Sequence, residues 1–420
     1  MAKRLTLFIL LAMVAGIVVG LSLRAMIPDP ESVKNVTGYI SILTDLFLRL
    51  IKMIIAPLVF ATLVTGIAHM GDTSALGRVG ARAIGWFLGA SLLSLSLGLL
   101  MVNLLQPGLG LGLPLPDAAA SSGIAESDFS LKLFVTHVVP KSFFEAMANN
   151  EILQIVVFSV FTGVAITAVG EKAAPLVRGI EALVQVMLQI TDYVMRFAPV
   201  AVFAAVSSAL AEQGPGILVT FGKFMGGFYL SMLTLWALLF GLCFLIAGGR
   251  SRLLFRYIRE PILLAFSTAS SEAAFPRTLE ALDRFGVPPR IASFVLPLGY
   301  SFNLDGSMIY CTFATMFIAQ AYGIDLTIGH QVTMLLILMV TSKGMAGVPR
   351  ASLVVIASTL AFFDIPEAGL LLILAVDHFL DMGRSATNVV GNAVASVIVA
   401  KWEGEFDVIE PAEIEPPKAP

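Results

Sequence analysis

Apolar positions in this chain come in long runs, broken at intervals by short polar turns. Such runs extend from Leu5 to Leu23, Ile40 to Met70, Ile84 to Leu105, Glu151 to Val169, Ala174 to Ala211 and Lys223 to Gly248. A helix needs about 20 mainly apolar residues to cross a bilayer, so each run is predicted to be a membrane helix, with Pro199 kinking the fifth. The first run has no small-residue cleavage site followed by a polar mature domain, and reads as a retained span. Gln106-Pro107-Gly108 ends the third run and opens a Gly-, Pro-, Ser- and Ala-rich loop over residues 106–130.

Beyond residue 260 the pattern changes. Leu263 to Phe275 (LLAFSTASSEAAF) and Thr341 to Ser352 (TSKGMAGVPRAS) are too short and too rich in small polar residues to span, yet both have apolar flanks. Each reads as the tip of a hairpin that dips into the membrane and returns, at about 258–285 and 330–365. Irregular backbone at that depth survives only where protein covers it or it lines a cavity. A long segment with polar residues in its middle follows each: Asn303-Leu304-Asp305-Gly306-Ser307 after the first, Asp381 to Asn392 after the second. Paired interruptions in corresponding places point to an inverted-repeat transporter with its site near the bilayer midplane.

In the last segment Asp377, Asp381, Arg384, Asn388 and Asn392 share one helix face at spacings of three or four. Each charge at membrane depth costs roughly 2.5–3.5 kcal/mol on insertion scales, so such a face needs partners or a polar cavity. Two readings fit: a structural Asp381–Arg384 pair at i, i+3, or a site for a polar substrate or ion. The NLDGS stretch likewise fits a kinked helix with satisfied side chains, or an unwound turn offering oxygens to a cation. Hairpin-tip amides near Ser270, Ser271 and Gly347 could hold an anion.

Composition narrows the class. The 420 residues are 57% hydrophobic and 13% charged, outside the soluble range. The two cysteines, Cys243 and Cys311, have no metal-ligand spacing, and no basic block suggests nucleic acid; no cofactor is implied. Lys3/Arg4, Arg78/Arg82, Lys172/Arg178 and the cluster Arg250, Arg252, Arg256 and Arg259 fall on one side if the spans alternate, which puts the N-terminus inside.

Together the serine-rich first tip, the N-x-D-G-[ST] break, the G-x-A-G-[VI]-P second tip and D-x-x-R-[TS]-x-x-N resemble the glutamate/aspartate and dicarboxylate:cation symporter family. The motifs nearest to these residues are those of its bacterial proton/glutamate branch. The resemblance implies an all-α polytopic membrane protein, a homotrimer whose subunits have eight transmembrane helices and two re-entrant hairpins and work as elevators. It divides the chain into scaffold helices at 1–80 and 107–214, transport-domain segments at 81–106 and 215–403, and a disordered tail at 404–420. The expected location is the cell inner membrane, with both termini cytoplasmic.

Carried over by motif, Arg384 takes the substrate side-chain carboxylate, for which its planar fork is suited. Asp381 takes the amino group, and Asn388 lies near the α-carboxylate. Ser270, Ser271, Ser307, Gly347 and Ser385 supply further contacts, and Asn303 and Asp305 a residual cation site. Relatives that carry C4-dicarboxylates lack the acid at Asp381, so having both charges implies L-glutamate or L-aspartate; a C4-dicarboxylate is the alternative substrate.

Three departures from the sodium-coupled pattern bear on coupling. Asn392 stands where those members have aspartate, Ala90 and Ser91 where they have threonine and serine, and Lys343 replaces an apolar residue. Lost oxygens weaken a hard-cation site. Lys343 either stands in for a bound cation or reaches the outer interface. Glu272 occupies a position that is serine in many sodium-coupled relatives, and an acid on a poorly hydrated path can exchange protons near neutral pH. A Glu272 salt bridge to Arg277 or Lys343 is its structural alternative. Proton coupling with Glu272 as carrier is therefore expected, sodium coupling being the alternative. A channel would need rings of like ligands, and an enzyme built on Asp377 and Asp305 has no recognisable motif; His69, His137, His330 and His378 are scattered and read as packing or loop residues.

Overall fold

Every regular element is a helix among the residues that the computed structural model describes: 2–27, 29–70, 73–109, 136, 138–342, 351–374 and 376–406. The elements that matter below are α1 (Ala2–Met26), α2 (Pro30–Met70), α3 (Thr73–Leu105), α4 (Phe143–Ala148), α5 (Ile152–Val169), α6 (Ala174–Met195), α7 (Ala198–Thr220) and α8 (Gly222–Ala247). The second half comprises α9 (Leu254–Thr268), α10 (Phe275–Phe285), α11 (Pro289–Phe302), α12 (Asp305–Ala321), α13 (Ile328–Thr341), α14 (Ala351–Phe362), α15 (Leu370–Leu374) and α16 (Asp377–Trp402).

Leu7–Met26, Leu76–Leu105, Ile152–Met195 and Gly222–Ala247 are long and apolar enough to cross a membrane, and shorter apolar helices accompany them. Their outward faces carry exposed Leu, Val, Ile and Phe side chains, which suits hydrocarbon as solvent. This is a membrane-embedded helical protein.

Two packing groups stand out. In the first, α1 lies along α7, and α2 packs on α5, α6 and α7. Close approach of α1 to α7 needs Gly16 and Gly20, because a Cβ at either would meet the α7 backbone at Phe203 or Ser207. Small residues four apart let membrane helices touch where no hydrophobic drive separates protein from lipid. In the second group α16 is surrounded by α3, α8, α9, α11 and α12, and residues 382–400 of α16 are buried throughout.

The structure revises three expectations. The run predicted as one helix kinked at Pro199 is two helices, parted at Arg196 and Phe197, with Pro199 in the first turn of the second, where its missing N–H removes no helical hydrogen bond. Helices α2 and α3 begin about three turns before the apolar runs do, at Pro30 and Thr73; Asp29 caps α2 by accepting from the Ser32 amide at 2.9 Å. Residues 404–406, expected to begin a disordered tail, are packed: Glu405 pairs with Arg290, and Phe406 is fully buried under the Arg250 guanidinium, 4.9 Å from its ring centre. Residues 407–420 lie outside the described part.

Two interruptions of the second half are seen as breaks, while residues 343–350 of the second tip lie outside the described part. Helices α9 and α10 pack against each other across a turn at Ala269, whose φ of 50° is left-handed, and α13 packs on α14. Between α11 and α12 the backbone leaves helical geometry at Asn303 and Leu304.

Candidate functional site

The polar face of α16 meets the α11–α12 break. Arg384, 4% exposed, reaches back along its own helix, so that one Nη2 lies 2.9 Å from Asp381 and 3.3 Å from Asp377. Tyr310 on α12 completes the set: its ring lies 4.2 Å from the guanidinium carbon, and its hydroxyl donates to Asp377 at 2.9 Å. Flat stacking on an aromatic face and two carboxylates hold the planar group in one orientation. The arginine Nε has no hydrogen-bond partner among the described residues. Asp381 keeps 42% of its side chain exposed, so the cluster opens at that carboxylate. Two acids and one base leave a net negative charge beside a guanidinium with an unused donor.

One turn further on, the face changes from charges to amides. Asn388 accepts from the Gly306 amide at 2.9 Å, which satisfies an N–H at the start of α12. Deeper still, the fully buried Asp305 carboxylate accepts from Ser94 on α3 at 3.0 Å and from the Asn303 amide at 3.1 Å; that amide also donates to Asn392 at 3.2 Å. The Asn303 Oδ1 and Asn392 Nδ2 atoms are buried without a partner among the described residues. Glycine makes this join possible. A Cβ at Gly391 would drive into the Asp305 carboxylate, and one at Gly306 into the Arg384 backbone.

Of the predicted site residues, the structure brings Arg384, Asp381, Asn388, Asn303, Asp305 and Asn392 together along α16 and the break. Ser307 and Ser385 are buried in the same first turn of α12 and on α16, and Ser91 is fully buried on α3. Ser270, Ser271 and Glu272 form the α9–α10 tip, half-buried; Ser270 Oγ accepts from the Ala273 amide, and the Ser271 carbonyl accepts from Tyr300. Arg277 is held by Asp192 at 2.6 Å and Glu280 at 2.7 Å. Lys343 and Gly347 lie outside the described residues. The cation-site expectation rests on Asn303 and Asp305, and here both Asp305 carboxylate oxygens accept from protein donors; among the described residues no cluster of three or more acids, histidines or cysteines is placed to hold a metal.

Two participants have no signal of their own in the sequence: Tyr310 lies inside an apolar helix, and Ser94 a turn beyond Ser91. Asp377, which the sequence puts on the polar face, is held by Arg384 two helical turns on and by Tyr310.

The sodium:dicarboxylate symporter family profile matches residues 5–402. The chain belongs to this family. It is 40% identical to a proton/sodium-glutamate symport protein of Bacillus subtilis (strain 168) over 374 residues, 88% of this chain and 87% of the relative. A protein of the same name from Bacillus caldotenax is 37% identical over 95% of this chain and 94% of its own length. A C4-dicarboxylate transport protein of Stenotrophomonas maltophilia (strain R551-3) is 40% identical over 87% and 83%. The family is one of symporters.

Proposed function

We propose that the protein takes up L-glutamate or L-aspartate across the cell inner membrane by proton symport. The observation that carries the substrate is the Asp381–Arg384 pair at 2.9 Å, with the acid open and the base buried. A substrate bearing both a carboxylate and an ammonium can replace this internal pair by two external ones. Its side-chain carboxylate takes the spare Arg384 donors, its ammonium takes Asp381, and its α-carboxylate meets Asn388 and the Ser270–Ser271 tip. A C4-dicarboxylate satisfies Arg384 but leaves Asp381 facing a second anion, a repulsion that favours the amino acid.

Proton coupling draws on the deeper half. Ser94 and Asn303 already donate to the Asp305 carboxylate, and Asn392 supplies an amide rather than an acid. Sodium would have to displace these donors with fewer anionic oxygens than a hard cation prefers. Glu272, on the tip beside the substrate path, carries the proton in this reading, with Lys343 replacing a cation's charge. The α1, α2 and α5–α7 group serves as the scaffold of a homotrimer, both termini cytoplasmic, and the group around α16 moves as an elevator.

Replacing Glu272 with Gln tests the coupling. In proteoliposomes the variant is expected to lose accumulation driven by a pH gradient and to keep exchange of labelled for unlabelled substrate. Accumulation equal to the parent protein's removes Glu272 from the mechanism.

A further inference from the structure

Beside the Arg384 cluster, on the neighbouring face of α16, α8 and α9 part to leave a cavity of about 390 Å³. Its walls are almost wholly apolar, with Trp236, Phe255, Leu263 and Phe266 among them, and its floor is α16 itself at Gly383, Ala386 and Thr387. The Trp236 indole donates to the Thr387 hydroxyl at 2.9 Å, so the one polar pair on the floor is already satisfied. Phe255 and Leu233 line the cavity and are 48% and 58% exposed, so it opens outward between the helices.

The single charged lining residue is Arg259, which is exposed. Arg256 is exposed one turn earlier on α9, and Arg252 is exposed just before that helix, with its guanidinium 4.4 Å over the Phe244 ring of α8. Among the described residues Arg256 and Arg259 have no ion-pair partner. An apolar slot with an unpaired guanidinium group at its rim matches an amphiphile with a hydrocarbon chain and an anionic head.

We infer that this cavity binds one acyl chain of an anionic phospholipid, whose head group sits on Arg259, in the leaflet on the side of the Arg250–Arg259 cluster. The glycine at 383 lets Met232 and Tyr229 of α8 lie directly on α16, so the cavity wall is built on the helix that also carries Arg384. The site needs only the membrane setting and is independent of which substrate or ion is carried.

The three tryptophans of the chain allow a direct test. Trp86 and Trp402 pack edge to face at 6.0 Å, away from the cavity; changing both to Phe leaves Trp236 as the sole reporter. This protein is reconstituted in vesicles with phosphatidylglycerol or phosphatidylcholine carrying brominated acyl chains, which quench indole fluorescence on contact. Half-quenching is expected at about fivefold lower mole fraction of the brominated phosphatidylglycerol, the preference that one basic group at the lipid surface confers. Arg259→Gln should bring the two lipids to parity and Arg259→Lys should keep the preference. Equal quenching by the two lipids in the parent protein overturns the inference, as does an undiminished preference in Arg259→Gln.

Discussion

The two halves of the polar face of α16 solve the same problem differently. Around Arg384, full charges are gathered with one carboxylate left open and one guanidinium donor unused. Around Asp305, a single charge is enclosed by neutral donors from α3 and the helix break. Both have to offset the cost of polarity at membrane depth, but the first keeps an exposed carboxylate that a visiting molecule can reach, whereas the unpartnered Asn303 and Asn392 amide atoms of the second are buried. The second reads as a join that holds α3, α11, α12 and α16 in register, and it explains why an acid there does not by itself make a cation cage. Where the open valences lie, not how many polar residues there are, distinguishes a binding site from a structural network.

The comparison breaks first at Arg384. Replacing it with Ala removes the only base from a cluster of two acids, and loss of one partner of a buried pair costs about 3–5 kcal/mol. Uptake of glutamate and aspartate should fall by more than about 100-fold, read as kcat/KM in proteoliposomes. The variant Arg384→Lys should recover only a small part of this, since a point charge cannot offer two parallel donors.

Asp381→Asn comes next and discriminates between substrates. Competition of labelled aspartate by glutamate should weaken by about 10-fold to 100-fold, while succinate should compete as well as before or better, since only the amino acid loses a charged hydrogen bond worth about 1.5–3 kcal/mol. Parallel weakening for both competitors would assign Asp381 to holding Arg384 alone.

The closed half is probed by Gly391→Ala. An added methyl there meets the Asp305 carboxylate, and overpacking of this kind costs about 1–3 kcal/mol. A lower thermal unfolding midpoint in detergent is expected, together with reduced transport of every substrate; a selective change in substrate affinity would place the closed network at the binding site. The smallest effect belongs to Tyr310→Phe, which keeps the ring over Arg384 and removes one hydrogen bond to Asp377. A loss of about 1 kcal/mol, or roughly fivefold in apparent affinity, should follow.

Much of this arrangement was legible because membrane depth makes polar residues expensive and therefore informative. The NLDGS break and the D-x-x-R-S-x-x-N face stood out against hydrocarbon-like flanks, and the structure pairs them through Gly306 and Asn388. What escaped notice was whatever looks ordinary in an apolar helix. Tyr310 and Ser94 reach the polar face only through the packing of α12 and α3, which no local pattern encodes. The packed Phe406 was missed for the opposite reason, because an acidic, Pro-rich composition masks one aromatic residue with an arginine waiting for it. At Pro199 the proline marks a helix boundary, whereas Pro57, Pro261 and Pro297 lie inside α2, α9 and α11.

The most direct test of the account is uptake of labelled L-glutamate and L-aspartate by the purified protein in liposomes, first under a pH gradient without sodium, then under a sodium gradient at equal pH. Accumulation with the pH gradient alone is the predicted result, and it would tie the enclosed Asp305, Asn392 and Asn303 network to proton coupling. Accumulation that requires sodium would contradict it, and would mean that a cation displaces the Ser94 and Asn303 donors despite the amide at Asn392.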